Sequence, residues 1–254
     1  MNIIHIKTYK EFKKHFGGFP RSDNGYFYRG VRAEFPLVPS MCYSDLVNKI
    51  KDFPKYERHL IRAFAKVLSI FYRIRDVNDW NLWFMARHFG LKSRLMDFSK
   101  DDTVAFQFAF NDSAGKSVRI YCLNKAAFGG ACQEEHLKRS GYTPFTHNKL
   151  DLIHPTSTYS NIDLENLGVS RIVIQSGFFL YQPIDTIHIP VTKQIPDKYW
   201  LVFEIACADI AAFKNEIEKS AGVDMDSYLL KRRHGLDKIC KFLNRLFTFR
   251  IFKP

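Results

Sequence analysis

The sequence lacks the cysteine and apolar patterns of disulfide-rich, zinc-binding and membrane-spanning proteins. Its five cysteines are scattered, odd in number and never set as Cys-x-x-Cys; they stand at positions 42, 122, 132, 207 and 240. We therefore expect reduced thiols, no disulfide framework and no metal site. No run approaches the roughly 18 apolar residues that a spanning helix needs. The amino-terminal segment is apolar for only a few residues before Lys7, so we expect no signal peptide, no membrane contact and a cytoplasmic location.

Apolar material for a core is abundant. Of the 254 residues, 46% are hydrophobic, and 24 of them are Phe. A chain of this length can bury a substantial core without covalent staples. We predict a single domain over residues 1–254, with its core at 25–245. The stretch 129–160 is rich in Gly, His, Thr, Ser and Pro and is predicted to be an irregular loop.

Basic residues outnumber acidic ones. The chain has 38 Lys and Arg against 26 Asp and Glu, which gives a formal net charge of +12. Such an excess attracts polyanions, either nucleic acid or an acidic protein partner, although the same residues can simply solvate a surface. The cations concentrate near residues 51–75 and in the last predicted helix, which carries Arg232, Arg233, Lys238, Lys241 and Arg245.

The order of periodic segments predicts an α+β (mixed α/β) fold with small central sheets flanked by helices. Strand patterns occupy residues 2–7, 26–31, 117–123, 171–175 and 199–205. Helical patterns occupy residues 9–16, 55–73, 78–89, 101–110, 207–220 and 225–247. The segment Leu91–Ser99 is predicted to be a polar connection between two helices.

A cluster of polar residues lies at the end of the preceding helix and in that connection. His88, Arg94 and Asp97 lie within ten residues of each other around Gly90. Burying such groups without partners costs about 2–7 kcal/mol, so they must bind each other or a ligand. A purely structural Arg94–Asp97 pair is one interpretation, and a ligand site is the other.

The residues around this cluster resemble the FRG-domain family. That family has an aromatic-Arg-Gly triplet on an early strand, matched by Tyr28-Arg29-Gly30. It then has a Trp-led helix ending in Gln-His-x-Gly-x-x-Thr-Arg-Leu-Leu-Asp, matched by Trp80, His88, Gly90, Arg94, Leu95 and Asp97. Further agreement lies at Phe98, Ser99, Ala105, Phe108 and Ala109, and at Arg171, Ile172, Gln175, Gly177 and Phe179. The resemblance runs from about residue 25 to about residue 240.

Four positions depart from the family pattern. Ser93 replaces Thr, Met96 replaces Leu and Asp102 replaces Pro. Arg87 replaces Gln and places a cation next to His88. Of the four, Arg87 is the change that could alter the chemistry of the site.

The resemblance implies an ADP-ribosyltransferase-like fold and an enzyme that uses NAD as donor. Two phosphates require cations with fork geometry, which Arg29 and Arg94 can supply. Tyr26, Tyr28 and Phe98 are candidates for sandwiching the nicotinamide, and His88 could bind a ribose hydroxyl. Asp97 could orient Arg94 or His88. The expected NAD-binding set is Tyr28, Arg29, Gly30, His88, Arg94, Phe98 and Ser99.

Breaking the nicotinamide–ribose bond also needs a group that stabilises the oxocarbenium-like state. Gln175 and Glu204, both in predicted strands, are the candidates for that role. An ordinary ion pair is the alternative interpretation of Glu204. The expected catalytic set is Arg29, His88, Arg94, Asp97, Gln175 and Glu204.

The family resemblance and the charge together suggest a toxin of a toxin–antitoxin or anti-phage system. We expect it to modify nucleic acid, with RNA favoured, and to be restrained by an antitoxin protein. Two other interpretations stay open. One is a non-catalytic nucleic-acid or nucleotide-binding module, and the other is a metal-independent nuclease with His88 as general base.

Overall fold

The fold is described from a computed structural model. The described residues are 1–17, 25–43, 50, 52–75, 77, 79–129, 143–153, 177–221 and 235–251. Both Gln175 and the predicted strand at 171–175 lie outside these residues, and so does most of the stretch 129–160.

One seven-stranded sheet organises the described residues, in the order β1-β7-β4-β2-β3-β6-β5. β1 is parallel to β7, and the other neighbours are antiparallel. The strands are β1 (Ile3–His5), β2 (Tyr26–Arg32), β3 (Leu95–Ser99), β4 (Val118–Asn124), β5 (Asp151–Ile153), β6 (Gly177–Tyr181) and β7 (Trp200–Ile205).

Helices cover both faces of this sheet. In the described part of the chain they are α1 (Tyr9–Lys14), α2 (Phe53–Phe71), α3 (Asp79–His88), α4 (Asp102–Asn111), α5 (Val191–Gln194), α6 (Ile210–Ala221) and α7 (Gly235–Ile251). Local sequence sets several of their ends. Thr8 and Glu11 form a reciprocal capping box at α1, and the Asp101 side chain caps α4.

The core is largely aromatic and lies in three clusters. Under α1, α4 and α6, the ring of Phe12 meets those of Phe106 and Phe203 edge-on, at centroid distances of 4.9 and 5.0 Å. A second cluster joins α2, α3 and α7 to β6, and a third covers the other side of the central strands. Edge-to-face geometry adds about 0.5–1.5 kcal/mol per pair beyond the burial of apolar area.

The predicted mixed α/β class is confirmed, with two corrections to the segments. Leu91–Ser99 is not a plain connection, because Leu95–Ser99 forms β3. The irregular stretch 129–160 contains the short strand β5. β3 lies inside the sheet, where Leu95, Met96 and Phe98 are buried. β5 is an edge strand, and all three of its residues are buried. Burial on both faces removes the alternation that marks a half-exposed strand.

The strands also form one continuous sheet and not several small ones. None of the described helices is long and apolar enough to cross a membrane.

Candidate functional site

A cleft of about 740 Å³ opens beside the middle of the sheet. Its walls come from β2, the end of α3, β3, α4 and the first residues of β6. Pockets of about 300–1,000 Å³ are typical of small-molecule sites. Three residues of the expected catalytic set, Arg29, His88 and Asp97, line this cleft together.

The cleft lies where β2 and β3 part. Among the described residues these strands pair only at Tyr28 and Ser99. One register position farther along, Arg29 crosses the gap, and its Nη1 donates to the main-chain oxygen of Asp97 at 2.6 Å. A side chain thus links the two strands beyond their last main-chain pair.

Gly30 allows α4 to lie directly against β2. A Cβ at position 30 would stand 1.9 Å from the carbonyl oxygen of Ala105 and 2.7 Å from the Cβ of Ala109. No side chain fits between the strand and the helix. The glycine of the aromatic-Arg-Gly triplet therefore has a packing role that sets one wall of the cleft.

The charged centre of the cleft is a carboxylate shared by two arginines. Arg87 donates to Asp97 Oδ2 from Nε, at 2.9 Å, and also from Nη2, while its Nη1 donates to Ser40 Oγ at 2.8 Å. Arg29 Nη1 lies 3.7 Å from the same carboxylate oxygen. Two guanidiniums and one carboxylate leave this cluster with a net positive charge.

Burial of the Asp97 carboxyl acts to raise its pKa, but the charges of Arg87 and Arg29 outweigh that effect and lower it. The side chain of Asp97 still has 43% of its surface exposed to the cleft. It is therefore an ionised carboxylate that can face a ligand at neutral pH.

Arg29 keeps one nitrogen for a ligand. It uses Nη1 for Asp97, its Nε is buried without a hydrogen-bond partner, and its Nη2 makes no hydrogen bond to a described residue. Only 12% of the Arg29 side chain is exposed, so its position is fixed by packing. Arg87, in contrast, has all three nitrogens engaged.

His88 ends α3 at the cleft, where its ring meets Phe89 edge-on at 5.1 Å. The aromatic predictions are only partly met. Tyr28 lines the cleft, but its ring packs against Phe12 and Phe16 in the core, and Tyr26 is outside the lining. Phe98 lines the cleft while being only 3% exposed.

Phe108 is the aromatic side chain that sequence reasoning misplaced. The helical pattern over residues 101–110 predicts that Val104, Ala105 and Phe108 are buried, but Phe108 is 38% exposed and lines the cleft, while Phe106 is fully buried. A half-exposed ring beside cations can stack on a planar ligand.

Arg94 does not reach the cleft. Its Nε lies 3.1 and 3.0 Å from the two carboxylate oxygens of Glu57, and its Nη2 lies 2.9 Å from Oε2. Its remaining donors bind the Tyr181 hydroxyl at 2.5 Å and the carbonyl oxygen of Pro144 at 2.9 Å. Every nitrogen of this guanidinium has a partner inside the protein, so both the expected phosphate contact and the alternative Arg94–Asp97 pair are wrong.

Glu57 is the residue that sequence reasoning missed in this pair. It is 1% exposed, and burial raises its pKa to about 7 against the lowering effect of Arg94. A signal was present in the sequence, since Glu57 stands three and four residues before Leu60 and Ile61 on the apolar face of α2. A carboxylate at such a position requires a buried cation.

Glu204 is also placed away from the cleft. It pairs across β7 and β4 with Arg119, whose Nε lies 2.7 Å from Oε2. β4 separates the strand of Glu204 from β2, and neither residue of the pair lines the cleft. The alternative of an ordinary ion pair is therefore the correct one for Glu204. Ser99 and Gly30 line the cleft as expected, and Gln175 lies outside the described residues.

Comparison with known proteins gave one match. No curated protein and no solved structure matched the chain significantly. A family model covers β2, α2, α3, β3 and α4, and so most of the cleft, but not the later stretch around residues 171–179. The resemblance inferred from the sequence is thus confirmed in part, and the FRG domain is detected over residues 24–117.

Proposed function

We propose that the protein is an NAD-dependent ADP-ribosyltransferase whose donor site is the cleft between β2, β3 and α4. The observation that carries this proposal is Arg29, a cation fixed by packing in the wall of the cleft, whose Nη2 makes no hydrogen bond to a described residue. A guanidinium binds phosphate oxygens through charge-assisted hydrogen bonds. The cleft volume of about 740 Å³ and the half-exposed ring of Phe108 fit a dinucleotide end with a planar base.

In the proposed reaction the bond between ribose C1′ and the nicotinamide nitrogen breaks. Its electron pair leaves with neutral nicotinamide, and a lone pair of the acceptor forms the new bond to C1′. His88 takes the proton that the acceptor loses. The ionised carboxylate of Asp97 faces the positive charge that develops on the ribose, in the role first assigned to Gln175 or Glu204.

The acceptor in this proposal is nucleic acid, with RNA favoured, and the protein acts as a toxin in phage defence that an antitoxin protein restrains. The net charge of +12 supports a polyanionic acceptor. Inducible expression should then arrest growth with the wild-type chain and not with Arg29→Gln.

Arg29→Gln should abolish most of the transfer. The substitution removes the charge and the fork, and the loss of one such electrostatic group costs on the order of 100-fold in rate. The assay follows label from NAD that is radioactive in the adenylate phosphate into RNA, DNA or protein. Arg119→Gln is the matched control, because Arg119 is paired on β4 outside the cleft.

Each outcome of this assay decides between functions. Label in one polymer that is lost only in Arg29→Gln supports the transferase. NAD binding with neither label transfer nor nicotinamide release would indicate a binding module, and RNA cleavage without NAD would indicate the nuclease.

Asp97→Asn tests the role of the carboxylate. We expect kcat for nicotinamide release to fall about 100-fold, because the developing ribose cation loses its counter-charge. KM for NAD should stay equal or fall, since removal of a negative charge favours the anionic dinucleotide. Asp112→Asn is the control, as Asp112 lines the cleft beside Arg32. An unchanged kcat with a raised KM would mean that Asp97 only positions Arg29 and Arg87 and does not stabilise the ribose cation.

A further inference from the structure

The outer side of α2 is a continuous cationic stripe. Lys55, Arg58, His59, Arg62 and Lys66 are all exposed, and their spacing of three, four, seven and eleven residues from the first places them on one side of the helix. The stripe is about 16 Å long at 1.5 Å per residue. The one acidic residue of α2, Glu57, is buried and paired with Arg94.

A second cationic stripe runs along α7. Lys238, Lys241 and Arg245 are exposed at helical spacing. Phe242 lies among them and is 61% exposed. The one acidic residue in α7 is Asp237, in its first turn.

The two stripes are neighbours because α2 and α7 pack antiparallel. Tyr56 near the start of α2 meets the ring of Phe247 near the end of α7 at 6.3 Å. At the other end, partial burial raises the pKa of Tyr72, and the proximity of Cys240 and Asp237 raises it further. Packed helices have axes about 8–10 Å apart. We call the combined surface the basic face; it comprises Lys55, Arg58, Arg62, Lys66, Lys238, Lys241 and Arg245.

The cations of the basic face are not neutralised within the described part of the chain. None of the seven forms a salt bridge with a described carboxylate. Elsewhere on the surface, cations do have acidic partners, as Lys214 has Glu218. Seven like charges on two adjacent helices repel each other, so the arrangement lowers stability unless a polyanion binds.

The basic face is connected to the rim of the cleft. Asn244 of α7 donates from Nδ2 to the carbonyl oxygen of Gly90 at 2.9 Å and accepts from the main-chain nitrogen of Lys92 at 3.0 Å. Gly90 lines the cleft next to His88. Asn244 lies between Lys241 and Arg245 in sequence. A polyanionic strand bound along α7 would therefore reach the rim of the cleft.

We propose that the basic face binds the sugar-phosphate backbone of a single-stranded nucleic acid, with an unpaired base stacked on Phe242. Exposed cations supply the phosphate contacts, and an exposed aromatic among them is the usual platform for an unpaired base. A duplex keeps its bases stacked inside and cannot use Phe242. Delivery of the strand to the cleft as acceptor rests on the proposed transferase function, whereas binding to the basic face does not.

The test measures binding of fluorescent oligonucleotides of about 20 nucleotides by anisotropy, without NAD and over a range of salt. Wild-type protein should bind single-stranded RNA more tightly than a duplex of the same length. Arg62→Glu/Lys241→Glu should weaken binding at least tenfold and reduce the salt slope by about 1.4, at roughly 0.7 per lost phosphate contact. Lys193→Glu/Lys219→Glu makes the same change of charge at exposed residues of α5 and α6 and should leave binding unchanged.

The stacking contact has its own variant. Phe242→Ala should weaken binding of the single strand roughly five- to hundredfold and leave duplex binding unchanged, and Phe242→Tyr should retain wild-type affinity. Because Phe242 is 61% exposed, the alanine variant should fold normally.

Three results would overturn the proposal. The first is an equal loss of oligonucleotide binding in both double variants. The second is tighter binding of the duplex than of the single strand, with the same preference in Phe242→Ala. The third is binding to vesicles of phosphatidylcholine and phosphatidylglycerol but to no oligonucleotide. Failure of the transferase proposal looks different: Arg29→Gln and wild-type protein would bind the oligonucleotide equally, and neither would transfer label from NAD.

Discussion

Arg94→Met is expected to lower the free energy of unfolding by about 3–5 kcal/mol. The substitution keeps an unbranched apolar side chain but leaves the carboxylate of Glu57 buried without its counter-charge. Glu57 is 1% exposed and Arg94 is 3% exposed, so water cannot replace the lost contacts. Urea denaturation followed by circular dichroism measures the change.

The effect should depend on pH. The pKa of Glu57 is already raised from 4.5 to about 7 with Arg94 present, and without Arg94 it should rise further. A carboxyl whose pKa is raised on folding binds its proton more tightly in the folded state, so stability falls as pH rises above the unfolded value. The stability gap between wild type and Arg94→Met should therefore be larger at pH 8 than at pH 5.

Two controls isolate the buried pair. Arg119→Met breaks a partly exposed pair with Glu204, and we expect it to cost less than about 1 kcal/mol. Glu57→Leu/Arg94→Met removes both charges and should recover much of the stability lost in the single variant. A loss below 1 kcal/mol for Arg94→Met would show that this pair is not buried as described.

Gly30→Ala is expected to lower the free energy of unfolding by about 3 kcal/mol or more. The new Cβ would lie 1.9 Å from a backbone oxygen of α4, so the helix itself has to move. Overpacking normally costs about 1–3 kcal/mol, and a backbone obstacle places this site at the upper end or beyond. Since α4 forms one wall of the cleft, ligand binding should be lost as well.

Gly115→Ala separates steric from conformational effects. Gly115 has φ +75° and open space around its missing Cβ, so alanine there costs only the left-handed conformation, about 1–2 kcal/mol. If Gly30→Ala were no worse than Gly115→Ala, close contact between β2 and α4 would not be what the glycine provides.

The elements that periodicity marks were predictable from the sequence. The helix expected at 55–73 is Phe53–Phe71, and the strand expected at 26–31 is Tyr26–Arg32. β3 was missed because its apolar residues are buried on both faces and its polar residues form the site. The strand that carries Asp97 of the site thus has the weakest periodicity in the sequence.

The candidate site was predictable in part. Arg29, His88 and Asp97 were expected to meet and do line one cleft. Arg94 was expected with them because it lies three residues from Asp97, but its partner Glu57 is 37 residues away and belongs to another helix. Proximity in sequence does not determine which residue a side chain pairs with in the folded protein.

Arg87 shows the reverse case. It was noted only as a departure from the family pattern, yet it donates two hydrogen bonds to the carboxylate of Asp97. An Arg94–Asp97 pair was one interpretation of the sequence, and the arginine that pairs with Asp97 is instead Arg87.

Calorimetric titration of the wild-type protein and Arg29→Gln with NAD, ADP-ribose and nicotinamide tests the central claim most directly. If Arg29 recognises the diphosphate, wild type binds NAD and ADP-ribose, and the variant binds both at least about tenfold more weakly, as expected for a lost charge-assisted hydrogen bond. Its affinity for nicotinamide should not change. Equal affinity of both proteins for ADP-ribose, or no binding to the wild type, would contradict the claim.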